Sequence, residues 1–368
     1  MKKFFYTLFA LFFNINRISG IRQNRVVLLA PHRGGSHDSL GAFEEYLKEK
    51  GGYETVRIST PAFDKSLKSI VDILGFFFIK SRKLARAKYV FLNDNFMPMA
   101  QLNFSKETVI TQLWHAEGAF KKFSLLLDLP GDIMQRELKA GEKLSFVTCT
   151  SENLRDTYAK AFGVNKEKVL PIGSPRLDYL FSEHNTEKIR ADFDRQKPDF
   201  KSKKLILYAP TFRDDEKRDS ELISHIDIEK FNRLFGEEYA LLVKLHPQIH
   251  SGFVNPENDV TGFDIADLTL ICDMVITDYS SVCMDFALLN KPCIFYAYDL
   301  EEYEAERSFC FGFEDYVPGM VVKTFDALLE EIKNPKGCNK EAFEKFNFDY
   351  KDNKNCERLF NAVMKGNR

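Results

Sequence analysis

The stretch VITDYSSVCMDFALLNKPCIFYAYD, residues 275–299, consists of two apolar runs with a polar interruption between them. The first run stops at Asp278, and Ser280 and Ser281 follow before the chain becomes apolar again. A short apolar run bounded by turn residues is typical of a buried strand. We therefore predict a strand at 274–277 and a helix that begins near the two serines.

The start of this helix is a candidate anion site. Ser280 or Ser281 is expected to cap the helix, because a serine hydroxyl accepts a hydrogen bond from a free amide of the first turn. The remaining free amides and the positive end of the helix dipole favour an anion. Asp285 lies four residues after Ser281, so the two side chains share one helix face. These residues alone leave two interpretations open, an ordinary cap and a phosphate site.

Short apolar runs alternate with helical patterns along most of the chain. The runs that we predict to be strands lie at 25–30, 55–59, 89–93, 109–113, 146–150, 169–172, 205–209, 239–245, 274–277, 293–296 and 320–323. This alternation favours parallel sheets with helices on both faces. Because the runs form two series, we predict an α/β protein with two doubly wound, Rossmann-like domains that face a cleft.

The two series are separated by a charge-rich segment with few apolar residues, around 185–203. We expect an N-terminal α/β domain at 25–185 and a C-terminal α/β domain at 204–339. A length of 368 residues agrees with two domains. The tail at 340–368 is predicted to form a C-terminal helix.

The composition excludes several classes of protein. Hydrophobic residues make up 44% of the chain and the net charge is −2, so the chain is globular and shows no signature of a nucleic-acid-binding protein. The seven cysteines include no C-x-x-C pair. We therefore expect buried free thiols in a reducing compartment rather than a disulfide framework or a zinc site.

The first 24 residues are predicted to associate with a membrane. The apolar run FFYTLFALFF at 4–13 is too short to cross a bilayer, which needs about 20 residues. Six basic residues and no acidic residue precede Asp38. A basic, aromatic segment of this kind suits an anionic membrane surface. A secretory signal and a first helix packed into the core are the alternatives.

A second basic amphipathic segment lies at 65–88. It carries seven basic residues and one acid, Asp72, beside apolar positions that include Ile73 and Phe77. This pattern is typical of a surface helix at a membrane. The alternative is a helix whose apolar face lies in the core while the lysine stems extend to solvent.

Polar residues follow several other predicted strands. Ligands of open parallel sheets bind beyond the carboxyl ends of the strands, so we take these residues as one candidate site. Its further members are His115, Arg176, Asp178, Thr211, Arg213, Lys244 and His246. Taken singly, each histidine is also compatible with a structural role, and Arg176 with Asp178 is compatible with a salt bridge within a loop.

These residues belong to motifs that resemble a known family. The motifs are TDYSSVCMDFALLNKPCIFYAYDLEEY, ILYAPTFRDD, KLHP, QLWHAEGAFKK and GSPRLDYL. They look like the motif set of CDP-glycerol glycerophosphotransferases of the teichoic-acid type. The resemblance spans roughly residues 25–335 and implies a glycosyltransferase-B-like fold, with the acceptor bound on the side of the first domain and the donor in the second.

The resemblance also implies a reaction. Family members transfer a polyol phosphate from CDP-glycerol or CDP-ribitol to a hydroxyl of an undecaprenyl-diphosphate-linked glycan and release CMP. They use no cofactor and no divalent metal. A member of this family is expected to work as a peripheral protein on the cytoplasmic face of the cell membrane.

The roles of single residues follow from the same resemblance. His115 matches the histidine of a W-H-G motif that is proposed as the general base, although Ala116 replaces the glycine here. His246 matches a histidine beside the donor phosphates and completes the predicted catalytic pair. The other matching positions are Arg213, Ser280 and Ser281 at the donor phosphates and Asp285 near the polyol. Residues 32–38 depart from the family pattern.

Two other functions stay open at this point. A nucleotide-sugar glycosyltransferase that makes capsular polysaccharide would share the fold, and a non-enzymatic membrane scaffold could retain it. The complete set of polar residues argues against the scaffold. The sequence does not distinguish glycerol from ribitol as the polyol.

Overall fold

The structure is a computed structural model, and it describes residues 2–31, 37–61, 67–183, 186–213, 216–246, 249, 254–336 and 340–365. The chain forms two compact units. The first unit comprises Met1–Ala119, Phe123–Phe181 and Asn347–Arg368, and the second comprises Phe120–Lys122 and Ser182–Phe346. Of the stretch at 32–38 that departs from the family pattern, residues 32–36 lie outside the described residues.

The first unit contains a six-stranded sheet in the order β2-β1-β3-β4-β5-β6. Its strands are β1 Arg22–Leu29, β2 Glu54–Ile58, β3 Ala87–Leu92, β4 Val109–Gln112, β5 Phe146–Cys149 and β6 Val169–Pro171. All neighbouring pairs are parallel. Because helices cover both faces of such a sheet, every residue from Val26 to Leu29 is buried, as the apolar runs predicted.

The second unit contains a five-stranded sheet in the order β11-β10-β9-β7-β8. Its strands are β7 Lys204–Ala209, β8 Tyr239–Val243, β9 Met274–Thr277, β10 Cys293–Tyr296 and β11 Met320–Val322. The pairing is again parallel throughout. The strand predicted at 274–277 from the opening stretch has the predicted bounds.

The helices alternate with the strands along the chain. They are α1 Lys2–Asn16, α2 Ser39–Lys50, α3 Leu67–Gly75, α4 Ser81–Ala85, α5 Gly131–Gly141, α6 Arg155–Phe162, α7 Leu177–Phe181, α8 Thr186–Gln196, α9 Glu216–Ser224, α10 Ile228–Phe235, α11 Ile265–Ile271, α12 Val282–Leu288, α13 Leu300–Glu306, α14 Phe313–Tyr316, α15 Phe325–Lys333, α16 Lys340–Asn347 and α17 Asn355–Leu359. Two π-helical turns extend α3 and α17, at Phe76–Lys80 and Phe360–Lys365.

Two expectations about chain segments are corrected. The tail is not one helix, because α16 ends at Asn347 and α17 begins at Asn355, and the two helices fall in different units. The charge-rich segment at 186–203, which neither predicted domain included, contains α8. Phe193 of α8 is buried and packs on Phe263, with ring centroids 5.4 Å apart, so α8 is part of the second unit.

Helix α1 has one buried face and one exposed face. Phe9 and Phe13 are fully buried and contact Phe76 and Phe104 at centroid distances of 4.5 and 4.8 Å. The exposed apolar residues Leu11 and Ile15 lie on the other side of the helix. Within the described ranges, no helix is both long enough and apolar enough to cross a bilayer.

The cysteines that the structure describes are free thiols, and all of them except Cys310 are buried. Burial raises the pKa of the Cys149 and Cys272 thiols to about 12. These side chains therefore pack as small apolar groups and stay protonated near neutral pH. Cys338 lies outside the described residues.

Candidate active site

The first unit carries His115 three residues beyond the carboxyl end of β4. The preceding Trp114 has a positive φ of 62°, which is rare for a bulky side chain. Its amide donates to Gln112 Oε1 at 3.0 Å, and its buried indole stacks on Phe123 at 5.0 Å. These contacts hold the strained turn and leave the His115 side chain 50% exposed.

The contacts of His115 determine which of its nitrogens is free. Nδ1 lies 3.1 Å from the backbone carbonyl of Asn93. A carbonyl can only accept, so a neutral His115 carries its proton on Nδ1 and a lone pair on Nε2. The Asp94 carboxylate lies 4.0 Å from the same nitrogen. The arrangement suits a general base.

Two other predicted site residues of the first unit have structural partners. Arg176 donates from Nε to Oε1 of the buried Glu117 at 2.6 Å and from Nη2 to Oε2 of the same carboxylate. Glu117 also accepts from Ser174 Oγ at 2.9 Å. Glu117 was not singled out from the sequence, although it stands only two residues after His115 in the WHAEG motif.

Asp178 holds the start of α17. Its carboxylate accepts from the amides of Asn355 and Cys356 at 2.7 and 2.8 Å and from Asn355 Nδ2 at 2.7 Å. Close packing explains the neighbouring Gly173, because a Cβ there would lie 1.8 Å from Asn355 Oδ1. Asp178 thus ties the C-terminal part of the chain to the loop after β6.

In the second unit, polar residues that follow three adjacent strands meet in one cluster. Arg213 follows β7, Asp278 follows β9 and Asp299 follows β10. The guanidinium donates to Asp278 Oδ2 at 2.9 Å, to Asp299 Oδ1 and Oδ2 at 3.0 and 2.9 Å, and to the Thr211 carbonyl at 2.6 Å. Tyr279 also donates to Asp299 Oδ1, at 2.8 Å. We call Arg213, Asp278, Asp299 and Tyr279 the arginine cluster.

The arginine cluster is buried and electrostatically balanced. Burial alone would lower the pKa of Arg213, but the Asp278 and Asp299 carboxylates raise it, so the guanidinium stays charged. Four of its five N–H donors are engaged in these bonds. Arg213 therefore organises the loops around the site, and a direct bond to a donor phosphate remains a prediction. Asp299 ends the opening stretch, yet the sequence analysis did not select it.

Thr211 contributes a hydroxyl beside this cluster. Its amide donates to Asp278 Oδ1 at 2.7 Å. Its Oγ1 is buried and has no hydrogen-bond partner within the described part of the chain. A buried hydroxyl without a partner is costly, so a ligand oxygen or an ordered water is expected to complete it.

The two serines of the opening stretch differ in their contacts. Ser280 Oγ accepts from the amide of Val282 at 3.4 Å, a long bond. Ser281 stands at the N-cap position of α12, but its side chain makes no capping hydrogen bond. The expectation of a serine cap is therefore met only weakly, by Ser280. Asp285 lies one turn inside α12 and is buried.

His246 and Lys121 of the second unit both have lowered pKa values. Burial lowers the pKa of His246, and the positive charge of Lys121 lowers it further. The imidazole lies 4.5 Å from the Phe212 ring and is neutral at pH 7. Lys121 Nζ is 3.4 Å from the Tyr303 hydroxyl, and burial lowers the pKa of Lys121 to about 8.

Lys244 has backbone partners instead. Its Nζ donates to the carbonyls of Thr261 and Phe263 at 2.9 and 2.6 Å. Thus, among the residues predicted from the sequence, the structure places Thr211 in contact with Arg213 and gives Lys244 contacts with the 261–263 loop. Within the described ranges, no group of three His, Cys, Asp or Glu side chains is arranged to hold a metal ion.

The chain matches one protein family over most of its length. A sequence model of the CDP-glycerol:poly(glycerophosphate) glycerophosphotransferases matches residues 11–365. The chain belongs to this family. The resemblance drawn from the sequence motifs is thereby confirmed.

Two relatives within this glycerophosphotransferase family come from Bacillus spizizenii. Its teichoic acid poly(ribitol-phosphate) polymerase is 31% identical over 379 residues, which cover 99% of this chain and 60% of the polymerase. Its teichoic acid ribitol-phosphate primase is 29% identical over 356 residues, which cover 93% of this chain and 91% of the primase. The chain therefore spans less than two thirds of the polymerase and most of the primase.

A solved structure has the same fold. The wall teichoic acid polymerase TagF superposes with a TM-score of 0.80 at 22% identity, covering 99% of this chain and 94% of the TagF chain. At this level of identity the likeness concerns the fold. It confirms the predicted glycosyltransferase-B-like α/β class.

Proposed function

We propose that this chain transfers glycerol phosphate or ribitol phosphate from a CDP-linked donor to a hydroxyl of an undecaprenyl-diphosphate-linked glycan, in teichoic acid synthesis. Membership of the glycerophosphotransferase family supports the reaction class. The family name mentions glycerol, and the names of the two relatives mention ribitol. Both polyols are therefore proposed as the group that is transferred. The observation that carries the proposal is the geometry of His115, which frees Nε2 to accept a proton.

The proposed reaction begins with proton transfer. Nε2 of His115 takes the proton of the acceptor hydroxyl as its oxygen attacks the β-phosphorus of the donor. The bond between this phosphorus and the oxygen of the CMP phosphate breaks, and CMP leaves with the electron pair. General base catalysis of this kind contributes about 10²–10⁴-fold to the rate.

Negative charge on the donor phosphates requires compensation from the second unit. We infer that the ammonium of Lys121, the neutral N–H of His246 and the free hydroxyl of Thr211 supply it. Ser280 and Ser281 are further proposed donors, and Asp285 is proposed to lie near the polyol, by their match to the family motifs. Arg213 supports these groups by holding the loops after β7, β9 and β10 together. We propose that this set acts without a divalent metal.

The protein is proposed to work on the surface of the cell membrane, at its cytoplasmic face. Leu11 and Ile15 of α1 and Phe78 and Ile79 of the first π-helical turn are exposed apolar side chains. The rings of Phe12 and Phe78 lie 4.6 Å apart, which joins α1 to this turn. Basic residues follow along α4, so apolar contact and attraction to anionic lipids would act together.

One experiment tests the proposed transfer directly. The purified protein is incubated with CDP-glycerol or CDP-ribitol and a short lipid-linked disaccharide. The mass of the product is then measured by mass spectrometry. We expect the mass of one or more polyol phosphates to be added, with release of CMP. Transfer of a sugar from a nucleotide-sugar instead would identify the protein as a glycosyltransferase.

Replacement of the proposed base provides the matched control. His115→Ala should lower turnover by about 10²–10⁴-fold, because the acceptor hydroxyl loses its base. The side chain is half-exposed, so the midpoint of thermal unfolding should stay close to that of the wild type. Turnover within twofold of the wild type would refute the role of His115.

A further inference from the structure

A cavity of about 520 Å³ lies in the first unit, away from His115. Thr108, Ser145 and Lys168 line it, and these residues directly precede β4, β5 and β6. His115 follows the carboxyl end of β4. Parallel strands place their amino and carboxyl ends at opposite edges of a sheet, so the cavity and the candidate active site are separate. We call it the strand-base cavity.

The lining of the strand-base cavity is strongly basic. Four cationic side chains contribute to it, those of Arg17, Lys106, Lys143 and Lys168, against the single carboxylate of Glu142. A net positive lining of this size attracts anions and stabilises them once they are bound.

Among the described residues, no carboxylate forms an ion pair with any of the four cations. Arg17 donates to the Asn103 carbonyl at 3.1 Å, and Lys168 donates to the Leu144 carbonyl at 2.8 Å. Carbonyls orient these side chains but leave their charge intact. Lys106 and Lys143 form no hydrogen bond or ion pair with the described residues.

Hydroxyl groups accompany the charges. Ser145 Oγ accepts from the amide of Ile110 at 3.1 Å, and Ser105 Oγ accepts from the amide of Glu107 at 3.3 Å. Each hydroxyl thereby keeps its own hydrogen for another acceptor. Cations together with hydroxyl donors are the groups that bind phosphate oxygens in proteins.

We propose that the strand-base cavity binds a phosphate group esterified to a small polyol. Its volume falls within the range of small-molecule sites, about 300–1,000 Å³, and exceeds the need of a bare anion. A phosphate of this kind occurs on soluble glycerol phosphate and in the headgroup of an anionic glycerophospholipid. The exposed Ile15 and Ile18 flank Arg17 in the sequence and offer apolar surface to the acyl region of such a lipid.

A double substitution removes the free charges of the cavity. Lys106→Gln with Lys143→Gln takes away two cations that have no described partner, so the fold should be preserved. Lys139→Gln with Lys160→Gln is the matched control, since both lysines are exposed, lie in the same unit and do not line the cavity.

The first measurement uses glycerol 3-phosphate as the probe, titrated calorimetrically into the wild type and both double variants. We call the Lys106→Gln, Lys143→Gln protein the cavity variant. It loses two charge-assisted contacts, so it should bind glycerol 3-phosphate about tenfold or more weakly, whereas the control variant should bind like the wild type. The second uses sedimentation with vesicles of phosphatidylglycerol or phosphatidylcholine. If the Lys106→Gln, Lys143→Gln protein binds glycerol 3-phosphate more weakly than the wild type, the ligand is a soluble phosphate ester. If it loses only sedimentation with phosphatidylglycerol vesicles, the ligand is a lipid headgroup.

Turnover on a soluble acceptor is measured for the same three proteins. It should be equal in all of them, so the cavity and the proposed transferase activity are tested independently. Binding of glycerol 3-phosphate at the donor site would be unchanged by the cavity substitutions. If the cavity variant and the control behave alike in both binding measurements, the proposed phosphate site is refuted.

Discussion

At the scale of single residues, the charge of Lys121 in the second unit affects the protonation of His246. Burial and the charge of Lys121 both lower the pKa of His246, and burial lowers the pKa of Lys121 to about 8. His246 is therefore a neutral donor at pH 7 while most Lys121 side chains are still charged. The neutral form of His246 follows first from its burial and then from the charge of Lys121.

Lys121→Gln should raise the pKa of His246, because a neighbouring positive charge that disfavours the imidazolium is removed. An NMR titration of the histidine ring protons measures this shift directly. In the wild type, affinity for the donor should fall as the pH rises through about 8, since Lys121 then loses its charge. The variant should lack this alkaline decline. An unchanged His246 titration would show that the two side chains are not coupled.

Ser281→Ala tests whether this serine acts on the ligand or on the helix. Because Ser281 makes no capping bond, the free energy of unfolding should change by less than about 0.5 kcal/mol. Loss of a hydroxyl donor should still weaken donor binding several-fold. Ser280→Ala is the comparison, since Ser280 makes the long bond to Val282. Wild-type donor affinity in the Ser281 variant would remove it from the proposed site.

At the scale of elements, α1 combines two alternatives that the sequence analysis kept apart. Its Phe9 and Phe13 face is a packed core face, and its Leu11 and Ile15 face is exposed. A helix can do both because residues three and four positions apart share a face. Deleting the whole segment would therefore mix a loss of stability with any loss of membrane binding.

Substitutions on each face of α1 separate the two effects. Leu11→Gln with Ile15→Gln should reduce sedimentation with anionic vesicles and leave thermal stability unchanged, because both side chains are exposed. Phe9→Ala should lower the free energy of unfolding by about 3–5 kcal/mol, since it leaves a cavity among buried rings. Vesicle binding that survives the double substitution would rule out this face as the anchor.

At the scale of the whole molecule, the proposed chemistry relies on protein groups alone. Turnover should therefore be the same in excess EDTA as in buffer with magnesium, because the proposed donors Lys121, His246 and Thr211 are side chains. The control is a wild-type sample dialysed against EDTA and then given magnesium or manganese. Activity that is lost in EDTA and restored by either ion would contradict the proposed mechanism.

The sequence by itself determined the architecture and the positions that carry the family motifs. A strand buried on both faces must be apolar throughout, so runs such as 274–277 and 205–209 predicted the two sheets. His115 and Arg213 were found because polar residues interrupt the pattern at strand ends. Such signals are local, and they depend on no residue far away in the chain.

Only the tertiary structure decided which side chains meet. Arg213 and Asp299 are 86 residues apart, and Arg176 and Glu117 are 59 apart, so no local pattern pairs them. The segment at 120–122 joins the second unit although its chain neighbours belong to the first, which brings Lys121 near the arginine cluster. The tail breaks into two helices because its halves pack in different units. Local propensity sets what a segment can form, whereas burial against distant residues sets its partners and its charge state.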